Sequence, residues 1–166
     1  GDGSSHGPRL TCGEVDLDHI ANAIKMEIGP DNSISRSTGK ASVINISDGI
    51  KDRTKDCLKK QLKKIGVLKN KHIPELYFNA GTEQRWDLLQ GLMDTDGTVT
   101  KCAGRTTPRC SFTVTKEALA FGVWRLARSL GLKATINKRK ATLNGREIGD
   151  KWDVAFPASA ATRIFR

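Results

Sequence analysis

The 166-residue chain lacks the features that would place it in a membrane or in the secretory pathway. No apolar run approaches the roughly 20 residues that a membrane-spanning helix needs. No signal-peptide pattern of a charged start followed by an apolar stretch is present either. We therefore expect a soluble protein with an intracellular, cytoplasmic location and no membrane partner.

Metal-binding cysteine motifs are also missing. The four cysteines form no CxxC pair, and the three histidines stand at no familiar zinc spacing. A disulfide between Cys102 and Cys110 would suit a hairpin in an oxidising compartment. The interpretation that we favour is that the cysteines are reduced thiols that act as small apolar residues.

Acidic residues are in deficit. The chain has 28 basic residues against 18 acidic ones, a net charge of +10. This excess favours a polyanionic partner such as nucleic acid, although many basic proteins bind none. A hydrophobic content of 37% indicates a folded core, and the length allows one domain or two fused halves.

The most informative segment runs from Leu88 to Gly97 and reads LLQGLMDTDG. Its apolar residues recur at helical spacing, and Gly91 leaves room for another backbone to approach closely. Asp94 and Asp96 then end the helix, where the macrodipole disfavours negative charge. A divalent cation would compensate this charge, so the segment is a candidate metal site.

The start of the chain repeats the end of that segment. Gly1-Asp2-Gly3 matches Thr95-Asp96-Gly97 in its Asp-Gly pair, and each copy is followed by a Pro-Arg pair and an amphipathic helix that ends near a glycine. We interpret this as an internal duplication. One carboxylate per copy predicts two acids that meet at a pseudo-twofold axis.

The hydrophobic pattern predicts alternating helices and hairpins. The predicted helices and paired strands cover residues 16–28, 35–47, 51–68, 84–94, 97–115, 116–130 and 134–156, with a last helix from 159. Hairpins imply antiparallel sheets. The predicted fold class is therefore α+β, with two pseudo-twofold αββαββα repeats over residues 1–83 and 84–166, and the leading helix of the first repeat is truncated.

These segments resemble the LAGLIDADG homing endonucleases, in the dodecapeptide form that is inserted in inteins. Residues 88–97 resemble the motif that names the family, and Gly1-Asp2-Gly3 resembles the end of a first copy. Residues 71–74 (KHIP) resemble the lysine-containing block between the two motifs, and residues 126–132 resemble the segment after the second.

The resemblance implies a site-specific double-strand DNA endonuclease that uses Mg²⁺ as cofactor. Two motif helices would lie side by side at the centre, and each antiparallel sheet would lie as a saddle in the major groove of double-stranded DNA. Only the last turn of the first motif helix is present. We therefore expect another segment, a splicing domain or another chain, to supply it.

The resemblance also implies roles for individual residues. Asp2 and Asp96 would be the metal-binding acids, and the backbone carbonyls of Gly1 and Thr95 would be further ligands. Lys71 would orient the attacking water or stabilise the transition state. These oxygen ligands suit Mg²⁺, a hard cation that neutralises charge during phosphodiester hydrolysis. Asp-Gly is also a frequent turn pair, so helix-ending turns without a metal are the alternative.

Basic residues on the predicted strands and their turns would contact DNA, with lysines mostly on phosphates and arginines also able to read guanine. They are Arg9, Arg36 and Lys40 in the first half and Lys101, Arg105, Arg109, Lys138, Arg139 and Lys140 in the second.

Two other functions remain open at the level of sequence. The first is a DNA-binding module of the same fold that no longer cuts, as in a maturase or a regulator. The second is an interaction protein that binds no nucleic acid. No splicing nucleophile opens the chain and no His-Asn pair closes it, so we expect no splicing activity.

Overall fold

The computed structural model describes residues 8–29, 33–36, 41–47, 50, 57–100, 107–157 and 164. The chain divides into two compact units, residues 1–70 and 71–166. The predicted boundary lies further along, between residues 83 and 84. Residues 71–83 group with the second unit because Ile73 is buried in the hydrophobic core of that unit.

The described residues of the first unit form a three-stranded sheet and two α-helices. Its elements are β1 (Arg9–Gly13), α1 (Leu17–Glu27), β2 (Ser33–Arg36), β3 (Ala41–Asn45) and α2 (Leu58–Lys64). The strands are antiparallel and lie in the order β1-β3-β2. Ser42 and Ile44 of the central strand are buried, which marks the packed face of this sheet.

The described residues of the second unit form a four-stranded open sheet and three helices, and the helix predicted from residue 159 lies outside them. Its elements are α3 (Glu75–Phe78), α4 (Thr82–Asp96), β4 (Gly97–Thr100), β5 (Arg109–Val114), α5 (Glu117–Ser129), β6 (Thr135–Leu143) and β7 (Arg146–Pro157). Every pair of neighbouring strands is antiparallel, and the order is β4-β5-β7-β6.

Both units use the same connectivity. In the first, a strand, a helix and a hairpin give the sheet order β1-β3-β2; in the second, the same succession gives β5-β7-β6. The α+β class with antiparallel sheets is confirmed, and the common order supports an internal duplication.

The core of the second unit lies between α4, α5 and one face of the sheet, which we call the helix-side face. Its fully buried side chains include Leu89, Met93, Cys110, Phe112, Val123, Leu126, Val154 and Phe156. Truncating one buried leucine to alanine typically costs roughly 2–5 kcal/mol. Since strand side chains alternate, the intervening residues lie on the opposite side, which we call the open face.

Cys110 belongs to this core and has a free thiol. The other described cysteines, Cys12 and Cys57, are also free. Burial raises the pKa of the Cys110 thiol above its ordinary value. The thiol therefore stays protonated and packs as a small apolar group, as the sequence pattern predicted.

Turns with positive φ confirm three predicted breaks. Gly29 (φ +135°) follows α1, and Gly131 (φ +81°) follows α5. Asn144 and Gly145 (φ +50° and +77°) form the tight turn between β6 and β7. A side chain is disfavoured at such angles, so these positions end their elements sharply.

Several element boundaries differ from the prediction, and two of the differences have a clear backbone cause. Helix α2 ends at Lys64 and not at residue 68, because Gly66 adopts a φ of +74°. Strand β7 begins at Arg146 and not at Trp152, and a bulge near Gly149 (φ +141°) lets the hairpin continue past an extra residue. Ion pairs across the hairpin, described below, sustain this charged extension.

Within the described ranges, no helix has both the length and the apolar character that crossing a membrane requires.

Candidate active site and nucleic-acid interface

Asp96 is the last residue of α4, and Gly97 is the first residue of β4. The helix is longer than predicted at this end, so Asp96 lies within its final turn and is exposed to solvent. The last turn contains no basic residue. The helix itself therefore does not compensate the carboxylate at its negative end, which is the situation that favours a bound cation.

The backbone after Asp96 is fixed by a close contact. The amide of Gly97 donates to the carbonyl oxygen of Met93. A Cβ built on Gly97 would lie 2.6 Å from Met93 Cε and 2.8 Å from Met93 Cα, and closer still to that carbonyl. Because Met93 is fully buried, this contact ties the end of α4 to the core and leaves Asp96 outside it.

Thr95 is the neighbouring residue with a predicted ligand role. Its hydroxyl donates to the carbonyl oxygen of Leu92 at 2.9 Å, so the hydroxyl is engaged within the helix. The carboxylate of Asp96 and the carbonyl of Thr95 are hard oxygen donors, which fit Mg²⁺ better than a softer metal. The metal role of both residues stays a prediction.

The other half of the predicted metal site, Gly1 and Asp2, lies outside the described residues. Among the residues that are described, no three His, Cys, Asp or Glu side chains come together in a way that would hold a metal ion. The pairing of Asp2 with Asp96 therefore also stays a prediction.

Gly91 lies on the exposed side of α4. No heavy atom of the described residues lies within 4 Å of a Cβ built at this position, apart from the helix and chain neighbours of Gly91. The room that the sequence predicted at Gly91 is present, and the backbone expected to fill it is not among the described residues.

Lys71 is exposed and stands just before a segment that is docked on α5. Ile73 is 8% exposed, and its Cβ and Cγ1 lie 3.2 Å from a Cβ built on Gly122. Glycine at position 122 thus gives Ile73 its place against the helix. The contact fixes the backbone two residues after Lys71.

A charged contact holds the same segment a little further along. Glu75 accepts two hydrogen bonds from the guanidinium of Arg125, at 2.6 and 2.7 Å. The guanidinium also lies 4.1 Å from the ring centroid of Phe78. The hydrogen bonds from Arg125 lower the pKa of Glu75, and those to Glu75 raise the pKa of Arg125. Helix α3 is therefore fastened to α5 by a bidentate ion pair.

The open face of the four-stranded sheet is polar, and its basic residues outnumber its acidic ones. By strand register and alternation it carries Thr98, Thr100, Arg109, Ser111, Thr113, Asn137, Arg139, Lys151 and Asp153. The hydroxyls of Thr98 and Ser111 lie 2.8 Å apart across β4 and β5. Of the residues predicted to contact DNA, Arg109 and Arg139 lie on this face.

Lys138 and Lys140 flank Arg139 on β6 but belong to the helix-side face. Lys138 Nζ lies 2.8 Å from an Asp150 carboxylate oxygen and 5.2 Å from the ring centroid of Trp152. Lys140 Nζ lies 2.6 Å from Glu147 and 3.3 Å from Asp150. The structure thus pairs both lysines with acids, away from Arg139, and their contact with DNA stays a prediction.

The ion pairs across the hairpin shift the pKa values of Asp150 and Lys140. The hydrogen bond from Lys138, and then that from Lys140, lower the pKa of Asp150. The hydrogen bond to Glu147, followed by that to Asp150, raises the pKa of Lys140. Both shifts favour the charged forms of Asp150 and Lys140, and the ion pairs hold the two strands together.

The five remaining residues predicted to contact DNA lie elsewhere in the chain. Arg9 opens β1 opposite Asn45, on the side away from the buried Ile44. Arg36 is the last residue of β2. Lys40, Lys101 and Arg105 lie outside the described residues.

Lys151 and Asp153 were not predicted as interface residues. Lys151 lies just before the predicted strand, which began at Trp152, and Asp153 is acidic, whereas the predicted DNA contacts are basic residues on strands and turns. The alternation of the apolar Trp152 and Val154 with the charged Lys151 and Asp153 is the signal that assigns the two charged residues to the open face.

Comparison with known proteins gives a family and a fold. A family model described as homing endonuclease matches residues 72–159, which is more than half of the chain. The replicative DNA helicase DnaB of Mycobacterium intracellulare is 45% identical over 83 residues. That match covers 50% of this chain and 14% of the helicase.

Two solved structures share the fold. Mesophilic variants of the homing endonuclease I-DmoI match with 16% identity and a TM-score of 0.54, over 94% of this chain and 74% of theirs. A variant of I-DmoI in complex with its target DNA in the presence of Mg matches with 14% identity and a TM-score of 0.53, over 94% and 75%. At these identities the likeness is one of fold.

Proposed function

Because this chain belongs to the homing endonuclease family, we propose that it hydrolyses phosphodiester bonds in both strands of a specific double-stranded DNA site with Mg²⁺. The observation that carries this proposal is the placement of Asp96. Its carboxylate is exposed at the uncompensated end of α4, immediately beside a sheet whose open face is basic.

The sheet supplies affinity and position. Arg109, Arg139 and Lys151 put three positive charges on the open face, against one acid, Asp153. Such a surface neutralises phosphates and places arginine donors against base edges in the major groove. The relative I-DmoI binds its target DNA, which supports the same substrate class here.

The chemistry needs an oxygen-lined cation site and a way to orient water. Asp96, together with the carbonyl of Thr95, would hold Mg²⁺, and Asp2 would contribute the second carboxylate. Bound there, Mg²⁺ supplies neutralisation of the charge that develops on the phosphate. Lys71 would hold the attacking water or the phosphate oxygens, on a segment that Ile73 and Glu75 fasten to α5.

We also propose the setting of the domain. A match that covers only 14% of a replicative helicase is what an inserted segment would produce, so the chain would be the endonuclease part of an intein. Another segment of that protein, such as the splicing domain, would supply the first motif helix. Since its substrate is cellular DNA, the protein would act inside the cell.

The test is cleavage of a library of long DNA duplexes by the complete protein, with Mg²⁺ and with a chelator. We expect double-strand cuts at one sequence with Mg²⁺ and binding without cuts when the chelator is present. Binding that never leads to a cut would instead favour the cleavage-inactive module. Affinity should also fall steeply between about 50 and 200 mM salt, because many phosphate contacts release counterions. An affinity that does not change with salt would contradict DNA as the partner.

A further inference from the structure

An acidic residue lies in the middle of the basic open face. Asp153 is on β7, an interior strand of the sheet, and its side chain is 16% exposed. A carboxylate here would repel the phosphates of a bound duplex. It therefore needs a local partner whose gain offsets that repulsion.

Asp153 has two partners on the open face. Thr113 of the neighbouring strand β5 donates its hydroxyl to Oδ1 at 3.1 Å. On the other side, Arg139 Nη2 lies 3.9 Å from Oδ2. Thr113, Asp153 and Asn137 pair in register across three strands, and Arg139 is two residues beyond Asn137 on β6. The carboxylate is thus held from one strand and faces a guanidinium from the other.

The guanidinium of Arg139 keeps its donors available. A separation of 3.9 Å attracts the two charges but exceeds hydrogen-bond length, so Asp153 orients the group without occupying its N–H groups. The Arg139 side chain is 61% exposed. The adjacent Lys138 and Lys140 have acids as close partners on the helix-side face.

We propose that Arg139 reads a guanine in the major groove and that Asp153 is the positioning residue that sets its guanidinium. This rests on the proposed function, since it assigns the specificity of the same DNA interface. An arginine fork matches the O6 and N7 acceptors of guanine in a bidentate way. Asp153 is too covered, and too engaged with Thr113, to reach a base itself.

The reading of a base by Arg139 can be distinguished from the neutralisation of phosphate by a positive charge alone. Lys151 pairs with Arg139 across β6 and β7 on the same face, and as a lysine it neutralises phosphate without geometric selection. Replacing Arg139 with lysine would leave the charge of the face unchanged and remove only the fork. A comparison of arginine with lysine at position 139 therefore measures the contribution of the fork separately from that of the charge.

The test is selection from randomised duplexes by the complete protein, followed by sequencing of the bound fraction. In Arg139→Lys we expect the preference for guanine to fall about tenfold at one position, with other positions unchanged, since a bidentate pair carries roughly that discrimination. In Asp153→Asn, which still accepts from Thr113, we expect weaker preference at the same position and higher overall affinity, because one negative charge is lost.

Two matched controls separate position from charge. Glu147→Gln neutralises an acid of β7 that pairs with Lys140, a residue of the helix-side face. Arg128→Lys replaces an arginine of α5 that stacks over Trp124 at 5.1 Å. Neither should change the preference at any base pair. Melting curves of all four variants check the fold, and the exposed Arg139 site tolerates the lysine.

Three outcomes would overturn the inference. If both open-face variants keep the wild-type preference, Arg139 reads no base. If Asp153→Asn alone changes the preference, at a position that Arg139→Lys leaves intact, Asp153 itself contacts a base. If the wild-type protein selects no duplex, the proposed function fails and the inference with it, an outcome that differs from the first two.

Discussion

Gly97 and Met93 leave no room between them for a side-chain carbon, since a Cβ at Gly97 would lie 2.8 Å from Met93 Cα. Asp96 is the last residue of α4 and immediately precedes the glycine that makes this contact. The glycine after the acid is therefore a packing requirement in this chain. It fixes the backbone that carries the proposed metal ligand.

Replacing Gly97 with alanine should destabilise the protein. The added methyl group meets the backbone of Met93, which cannot move without disturbing the core, and overpacking of this kind costs about 1–3 kcal/mol. Urea unfolding of wild type and Gly97→Ala measures the difference. An unchanged free energy of unfolding would mean that the end of α4 is less constrained than the contact indicates.

Gly91→Ala is the matched change on the exposed side of the same helix. It meets no described atom, and alanine in a helix interior is about 1 kcal/mol more favourable than glycine. We expect the free energy of unfolding of the chain to rise while DNA cleavage by the complete protein falls, because the methyl group would block the approach of a second motif helix. A stabilised variant that cuts at the wild-type rate would contradict close packing at Gly91.

Gly122→Ala should disturb the segment that carries Lys71. The new methyl group would lie 3.2 Å from two carbons of Ile73, so the chain around Ile73 has to shift. Overpacking costs about 1–3 kcal/mol, and the gain of roughly 1 kcal/mol for alanine over glycine in a helix interior offsets part of it. We expect a small net loss of stability and slower cleavage with little change in DNA affinity.

A double-mutant cycle with Ile73→Ala checks the cause of that effect. The truncated side chain makes room for the methyl group, so the combined loss of stability should be smaller than the sum of the single losses. Additive losses would show that Gly122 does not act through Ile73.

The ion pair between Glu75 and Arg125 predicts a pH dependence. Hydrogen bonding to Arg125 lowers the pKa of Glu75, so the pair stabilises the fold above the ordinary glutamate pKa, and this contribution is lost as pH falls through the lowered value. The difference in unfolding free energy between wild type and Glu75→Gln should be present at neutral pH and should shrink as the pH falls through the lowered pKa of Glu75. Because both side chains are exposed, it should be small and weaker in high salt.

A difference for Glu75→Gln that persists at low pH would show that the packing of the side chain, and not its charge, holds α3 to α5.

The sequence predicts elements where a local signal is strong. Helical spacing in α4 and α5 and the Asn144-Gly145 turn placed these elements nearly where the structure has them. The endonuclease family was also recognised correctly from the motif at residues 88–97.

The arrangement of the basic residues on β6 was not predictable in the same way. Lys138, Arg139 and Lys140 form one basic run in the sequence, and only the strand register shows that Arg139 lies on the other face from its neighbours. The acids that pair with the lysines come from the charged half of β7, which carries no apolar alternation. Long-range pairing of this kind has no local signature in the sequence, so only the three-dimensional structure shows on which face of the sheet each basic residue lies.

The central claim is that Asp96 is a metal-binding acid of a DNA endonuclease. Asp94 offers a matched control, since it is also an exposed carboxylate in the last turn of α4, but the resemblance to the family motif assigns the metal-binding role to Asp96 and not to Asp94. The decisive measurement is Mg²⁺-dependent cleavage of the selected DNA target by wild type, Asp96→Asn and Asp94→Asn, with DNA affinity measured alongside. We predict that Asp96→Asn binds the target and does not cut it, whereas Asp94→Asn cuts. Cleavage by Asp96→Asn at the wild-type rate would contradict the account.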